Sequence, residues 1–196
     1  PTFLADLQSL PINRISMGVQ SFNDAELNLM NRRHTAKEAI ASVHNIVNAG
    51  YTNCNIDLIY GLPNQSIETW QSNLQTALSL PIKHLSAYHL TYEEGTKMYQ
   101  LRQQAVSEDT SYLMFQTLHQ YIEEAGMEAY EISNFAYPGY RSKHNSRYWQ
   151  NKPYLGVGAA AHSYNGSNKR RWNVSDLTKY INGITQNNTI FEVNDI

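Results

Sequence analysis

Helix-like and strand-like spacings of apolar residues alternate along most of this chain. Phe3, Leu4, Leu7 and Leu10 line one side of a first helix, and residues 14–19 read as a strand. Asn23, with Glu26 three positions later, predicts a capping box that opens a short helix with Leu27 and Met30 inside. Thr35 and Glu38 repeat the device for a longer helix. It carries Ala39, Ile40, Val43, Ile46 and Val47 on one face, and Gly50 ends it in the left-handed position. A second strand covers 55–60, then a helix over 66–79 turns Trp70, Leu74, Ala77 and Leu78 inward. Residues 84–90 read as a third strand. Ser107 begins a helix containing Leu113, Leu118 and Ile122, Gly126 closes it, and residues 127–132 come next as a fourth strand. Asn-Ala-Gly-Tyr and Glu-Ala-Gly-Met echo each other before two of these strands, as a βα repeat requires. After Phe135 the pattern breaks into a loop rich in Gly, Pro and Tyr. Residues 155–161 form a short apolar element, 175–184 a small helix, and the tail after Gln186 reads as frayed. Such alternation predicts an α/β fold around a parallel sheet.

The second strand carries an acid in an apolar setting. Ile56, Leu58 and Ile59 flank Asp57, so the strand is expected to be buried on both faces, and it runs into a Gly-Leu-Pro turn. An unpaired carboxylate there would cost several kcal/mol, so Asp57 should have a specific partner, either protein or ligand. In parallel α/β sheets ligands sit at the strand ends that lead into such turns.

Composition narrows the functional classes. The 196 residues are 41% hydrophobic and 16% charged, with a net charge of −2, as in an ordinary globular protein. Lys169-Arg170-Arg171 is the one basic run and reads as a solvated loop, so no nucleic-acid partner is expected. No apolar run suits a membrane span, which leaves peripheral membrane contact open. The single cysteine, Cys54, rules out a disulfide framework and points to a reducing, cytoplasmic setting.

Several residues could carry chemistry. Gln20 ends the first strand at the same sheet edge as the Asp57 strand. Its amide could meet a ribose or an adenine edge, or it could bond local backbone at the start of the next helix. Arg32 and Arg33 could clamp a carboxylate or simply favour the helix C-terminus. His144, in the loop segment His-Asn-Ser-Arg-Tyr-Trp, suits an axial ligand to a flat aromatic cofactor such as heme; a lone loop histidine is more often unremarkable. Gly156-Val157-Gly158-Ala159-Ala160-Ala161 superficially matches a dinucleotide fingerprint, but the residues after it, His162 to Gly166, are poor helix material; small residues there suit close backbone packing. His84, His89 and His162 show no metal-ligand spacing, and no phosphate-loop, serine-hydrolase or zinc-protease motif occurs.

Gly18 to Asn23, Asn31-Arg32, the 55–63 segment with Gln65, and His144 to Trp149 together resemble one family. They are similar to the radical S-adenosylmethionine (SAM) proteins related to oxygen-independent coproporphyrinogen III oxidase. The His-Asn-x-x-Tyr-Trp hexad and the Tyr-Leu-Gly-x-Gly-Ala-x-Ala-His run ending at His162 resemble its HemW-type heme-chaperone branch. The resemblance covers about residues 13–162 and implies a partial (βα) barrel of the radical SAM type, truncated on its N-terminal side. Residues 1–135 would belong to that barrel, and 136–196 to a loop-rich extension with a small α+β element. By motif position Gln20, Arg32, Asp57 and Ile59 would hold SAM: Arg32 on the methionine carboxylate, Gln20 and Asp57 on hydroxyl or ammonium donors, Ile59 on the adenosine. His144 would bind heme through its iron. The family's Cys-x-x-x-Cys-x-x-Cys motif, which holds a 4Fe-4S cluster, is missing here. Because Pro1 runs straight into a helix, the chain reads as the second half of a longer protein, with an open sheet edge and no radical chemistry of its own. The implied function is heme binding and transfer to an acceptor protein of unknown identity. The alternatives are the oxidase reaction of porphyrin biosynthesis and a structural barrel half without activity.

Overall fold

The computed structural model describes residues 2–195. Pro1, where the first helix was expected to start, lies outside them. The chain forms two compact units that divide between Arg141 and Ser142.

In the first unit, α1 (Thr2–Gln8) precedes β1 (Ile15–Gln20), α2 (Asp24–Leu29), α3 (Ala36–Asn48), β2 (Cys54–Tyr60), α4 (Ile67–Ser79) and β3 (His84–His89). A 3-10 helix (Met98–Gln104), α5 (Glu108–Glu124), β4 (Glu128–Ala129) and β5 (Asn134–Ala136) complete it. The sheet order is β1-β2-β3-β5-β4, with β1, β2 and β3 parallel and β5 antiparallel to both neighbours. Mixed α/β architecture with a parallel sheet is therefore correct, and no closed barrel forms among the described residues.

Local chemistry sets the helix ends. Thr35 and Glu38 form the expected capping box, and Asn23, Ser66 and Ser107 accept from backbone N–H groups in the first turns of their helices. The echoed glycines behave alike. Tyr51 N donates to Ile46 O at 3.2 Å and Met127 N to Ile122 O at 3.0 Å, with Gly50 and Gly126 at positive φ. Each helix thus hands its chain directly to the next strand.

Strand alternation then separates two faces. Val19, Ile56, Leu58, Leu85, Ala87 and Phe135 pack with Trp70, Leu74, Met114, Leu118 and Ile122 in one apolar core. Each fully buried Val, Leu, Ile, Phe or Met side chain among them stabilises the fold by roughly 1.5–3 kcal/mol. The Trp70 indole donates to Met114 O at 3.0 Å and stacks on Tyr60, tying α4 to α5 and β2. The opposite face is polar.

Several expectations are corrected. Asp57 is half-buried on a one-sided strand, because its face also carries Asn55 and remains partly open. Leu113 is exposed on α5. The expected strand over 127–132 is only two residues long. The chain bends at Glu131, whose carboxylate accepts from Ser133 N at 3.1 Å, and returns as β5 against β3.

The second unit contains α6 (Lys143–Trp149), β6 (His162–Tyr164), β7 (Lys169–Asn173), α7 (Leu177–Thr185) and β8 (Phe191–Asp195) in a three-stranded antiparallel sheet. His144 therefore lies on a helix capped by Ser142, not on a loop. The basic run forms β7, and the tail expected to fray is β8, paired along β7. Residues 155–161 form no strand, and Leu155 and Val157 are exposed there. Gly156 does allow close packing: a Cβ on it would collide with the His162 backbone carbonyl.

Candidate functional site

The polar face of the first sheet is built by residues two apart on successive strands. Ser16 and Gly18 come from β1, Asn55, Asp57 and Ile59 from β2, and His84 and Ser86 from β3. Asn55 joins them. Its Nδ2 donates to Asp57 Oδ1 at 2.7 Å and to Ser16 Oγ at 2.6 Å, while its Oδ1 meets His84 Nδ1 at 2.5 Å. His84 Nε2 lies 2.7 Å from the Tyr130 hydroxyl, and Ser86 Oγ donates to Asn134 Oδ1 at 2.8 Å.

Burial, and secondarily Arg14, push the His84 imidazole down to about 3. It is therefore neutral at ordinary pH, one ring nitrogen donating and the other accepting. Burial likewise lowers the Arg14 guanidinium, partly offset by Tyr130, Asp57 and Cys54. The Cys54 thiol is pushed up by burial against the opposing effect of Arg14, so it stays protonated.

At the C-terminal end of β1 the backbone departs from regular pairing. The register shifts between Gly18 and Gln20, and Gln20 holds φ at 73°. A non-glycine residue in that region costs roughly 1–3 kcal/mol. The consequence is positional: the buried Gln20 side chain folds back over Gly18, where an added Cβ would fall 2.5 Å from its Nε2. Gly18 is the register partner of Asp57, so the amide and the carboxylate share one end of the sheet.

A second network fixes the loops at that end. The buried Glu26 carboxylate accepts from Ser21 Oγ at 2.5 Å, Asn73 Nδ2 at 3.0 Å and Gln65 Nε2 at 2.9 Å. Gln65 Oε1 in turn accepts from Gly61 N at 2.8 Å, and Asn73 Oδ1 from Phe22 N at 2.7 Å. The turn after β1 and the Gly-Leu-Pro turn after β2 are thereby bound together. The expected capping box of Glu26 on Asn23 does not form. Instead Asn23 N donates to Ser21 Oγ, and three side-chain donors claim the carboxylate.

Asp57 and Ile59 thus share one sheet face, and the Gln20 amide reaches it by folding back over Gly18. No hydrogen bond or ion pair among the described residues joins Arg32 to them. The chain leaves α2 through a left-handed Asn31, with Arg32 N donating to Leu27 O at 2.9 Å, and the arginine side chain is exposed. His144 belongs to the other unit, also exposed, with Nε2 3.0 Å from the Tyr148 hydroxyl. Ser16, Asn55, His84, Ser86 and the Glu26 network were missed by sequence reasoning. The period-two polar spacing Ser16-Gly18-Gln20 and Asn55-Asp57 was the available signal, obscured by Ile59 on the same face.

The radical SAM superfamily model matches residues 1–77. The heme chaperone HemW of Bacillus subtilis is 37% identical over 184 residues, 92% of this chain and 48% of that protein. HemW of Lactococcus lactis is 39% identical over 157 residues, 78% of this chain and 41% of its own length. The chain belongs to the HemW-type branch of the radical SAM superfamily. It spans about half the length of the curated relatives it matches. Among solved structures, the radical SAM enzyme coproporphyrinogen III oxidase (HemN) of Escherichia coli superposes with a TM-score of 0.81. That match has 24% identity over 99% of this chain and 48% of the other, a likeness of fold.

Membership in this superfamily implies SAM and a 4Fe-4S cluster. The polar strand face, with a carboxylate, a folded-back amide and Ile59 alongside, fits a small cationic nucleoside. The cluster does not fit this chain, whose one cysteine is buried and protonated. Among the described residues no group of three or more His, Cys, Asp or Glu could hold a metal ion, and no helix is long and apolar enough to cross a membrane.

Proposed function

We propose that this chain is the SAM-holding and heme-binding portion of a heme chaperone that passes heme to an acceptor protein. The observation that carries the reading is His144. It stands exposed on α6, with one ring nitrogen near a tyrosine hydroxyl and no carboxylate among the described residues bonded to it, in a chain 37% identical to a heme chaperone. A solvent-facing imidazole can meet the iron of a planar macrocycle without opening the core. Tyr148 stands edge-on to His144 at 5.2 Å between ring centroids, one turn further along α6.

On the other unit, Asp57 and Gln20 would take the ammonium or hydroxyl donors of SAM, and Ile59 would lie against its adenosine. Arg32 would swing from solvent to the methionine carboxylate. Bound SAM supplies radical chemistry only beside a reduced cluster, for which these residues provide no ligand. The Asn55 and Glu26 networks keep the acceptor and donor groups oriented before SAM arrives.

Titration of heme into the protein, followed by absorbance, tests the heme reading. Wild type should give a histidine-ligated spectrum that His144→Ala lacks, with weaker binding. Matching spectra and affinities for the two proteins would remove it.

A further inference from the structure

The second unit contains a surface cavity that none of the roles above uses. It has a volume of about 350 Å³ and is lined by Tyr154, Leu155, Ser163, Lys169, Arg171 and Phe191, among others. We infer that this cavity is a carboxylate site that receives the acid-bearing edge of a planar aromatic ligand. The inference rests on the heme reading and names the part of heme held there, its propionates.

Charge is the first support. β7 brings the Arg170 and Arg171 guanidinium groups to the cavity, with Lys169, the register partner of Asp195, beside them, in a chain whose net charge is −2. No ion pair engages Arg170 or Arg171 among the described residues. Glu192 accepts from the Trp172 indole at 3.2 Å and has Trp172 as its register partner, so it shares a sheet face with Arg170 and lies on the face opposite Arg171.

The second support is an unmet donor. Arg171 Nε is buried and has no hydrogen-bond partner, although buried donors are nearly always paired. Its guanidinium lies over the Phe191 ring, 4.7 Å from the centroid, and that of Arg170 lies 5.7 Å from the Tyr164 centroid. Strand alternation sends the two guanidinium groups to opposite sheet faces, Arg170 beside Tyr164 and Arg171 beside Ser163 and Phe191, so each, steadied on an aromatic ring, suits a carboxylate of its own. Ser163 Oγ accepts from Gly156 N at 2.9 Å, which leaves its own proton for a ligand oxygen.

The third support is continuity with His144 inside the same unit. Tyr154, on the cavity wall, meets Tyr148 edge-on at 4.7 Å, and Tyr148 meets His144 edge-on at 5.2 Å. The cavity is large enough for a ligand edge and too small for a macrocycle. Exposed Leu155 and Tyr148 are apolar surface available to the rest of it.

Metal-free mesoporphyrin IX and its dimethyl ester, titrated into the protein by fluorescence, test the site without an axial ligand. The diacid should bind about 10-fold or more tightly than the ester, a gap that Arg171→Gln and the exposed Arg170→Gln each narrow. Equal binding of diacid and ester to the wild type would overturn the proposal, as would an undiminished gap in a folded Arg170→Gln/Arg171→Gln protein. Failure of the His144 reading is separate: it shows only with iron porphyrin, as a spectrum indifferent to His144→Ala, while the acid–ester gap persists.

Discussion

On the polar face of the first sheet, Asn55, Asp57, His84, Ser86 and Asn134 direct their hydrogen bonds to one another, and Glu26 gathers three donors beneath the neighbouring turns. In the second unit the chemically capable side chains, His144, Tyr148 and Arg170, instead face solvent with few partners. The first arrangement fixes side chains before a ligand arrives and makes them costly to replace. The second leaves groups open to an incoming macrocycle and makes them cheap to replace. Stability and binding should therefore respond to mutation in opposite proportions in the two units.

The largest expected effect is at Glu26. Removing its carboxylate strands Ser21, Gln65 and Asn73, so Glu26→Ala should destabilise the protein by about 3 kcal/mol in urea unfolding. A loss below about 1 kcal/mol would mean that the network does not bind the turns together.

Next is a pH dependence. Burial holds His84 at about 3 against 6.5 for the free side chain, so the unfolded chain takes up the proton first as pH falls. The stability due to the neutral imidazole is complete above pH 6.5 and declines toward pH 3, at roughly 1.4 kcal/mol per unit. Between about pH 7.5 and about pH 5, wild type should lose about 2 kcal/mol more than His84→Gln in denaturant titrations. Parallel curves would contradict a buried, neutral His84.

The smallest effect lies in the open unit. The Tyr148 hydroxyl sits at His144 Nε2, the atom that would face iron, so it competes with the metal. Tyr148→Phe should tighten heme about 5-fold, the value of one exposed hydrogen bond, with unfolding unchanged within about 0.5 kcal/mol. Unchanged heme affinity would assign coordination to Nδ1.

The helix boundaries of the first unit were legible because their signals are local. Thr35 with Glu38, Ser66, Ser107 and the two Ala-Gly pairs act within a turn of chain. What failed depended on distant partners. β5 exists because His84 to Ser86 pair with residues 134–136, and nothing within 127–132 announces the bend. The α6 segment lacks apolar periodicity, since His144, Arg147, Tyr148 and Trp149 are all exposed, so its sequence reads as loop. The same holds for β7, whose cations suit a solvated loop in isolation and become a strand only through pairing with β6 and β8. At the candidate site, Gln20, Asp57 and Ile59 were named from motifs, while the polar row beside them depends on interstrand register.

The central claim is that His144 supplies the imidazole that meets heme iron. Absorbance of the heme complex of His144→Gly, with and without added imidazole, tests it most directly. Loss of the histidine-ligated spectrum and its return with imidazole is the predicted result. A His144→Gly spectrum identical to wild type before any imidazole is added would contradict it.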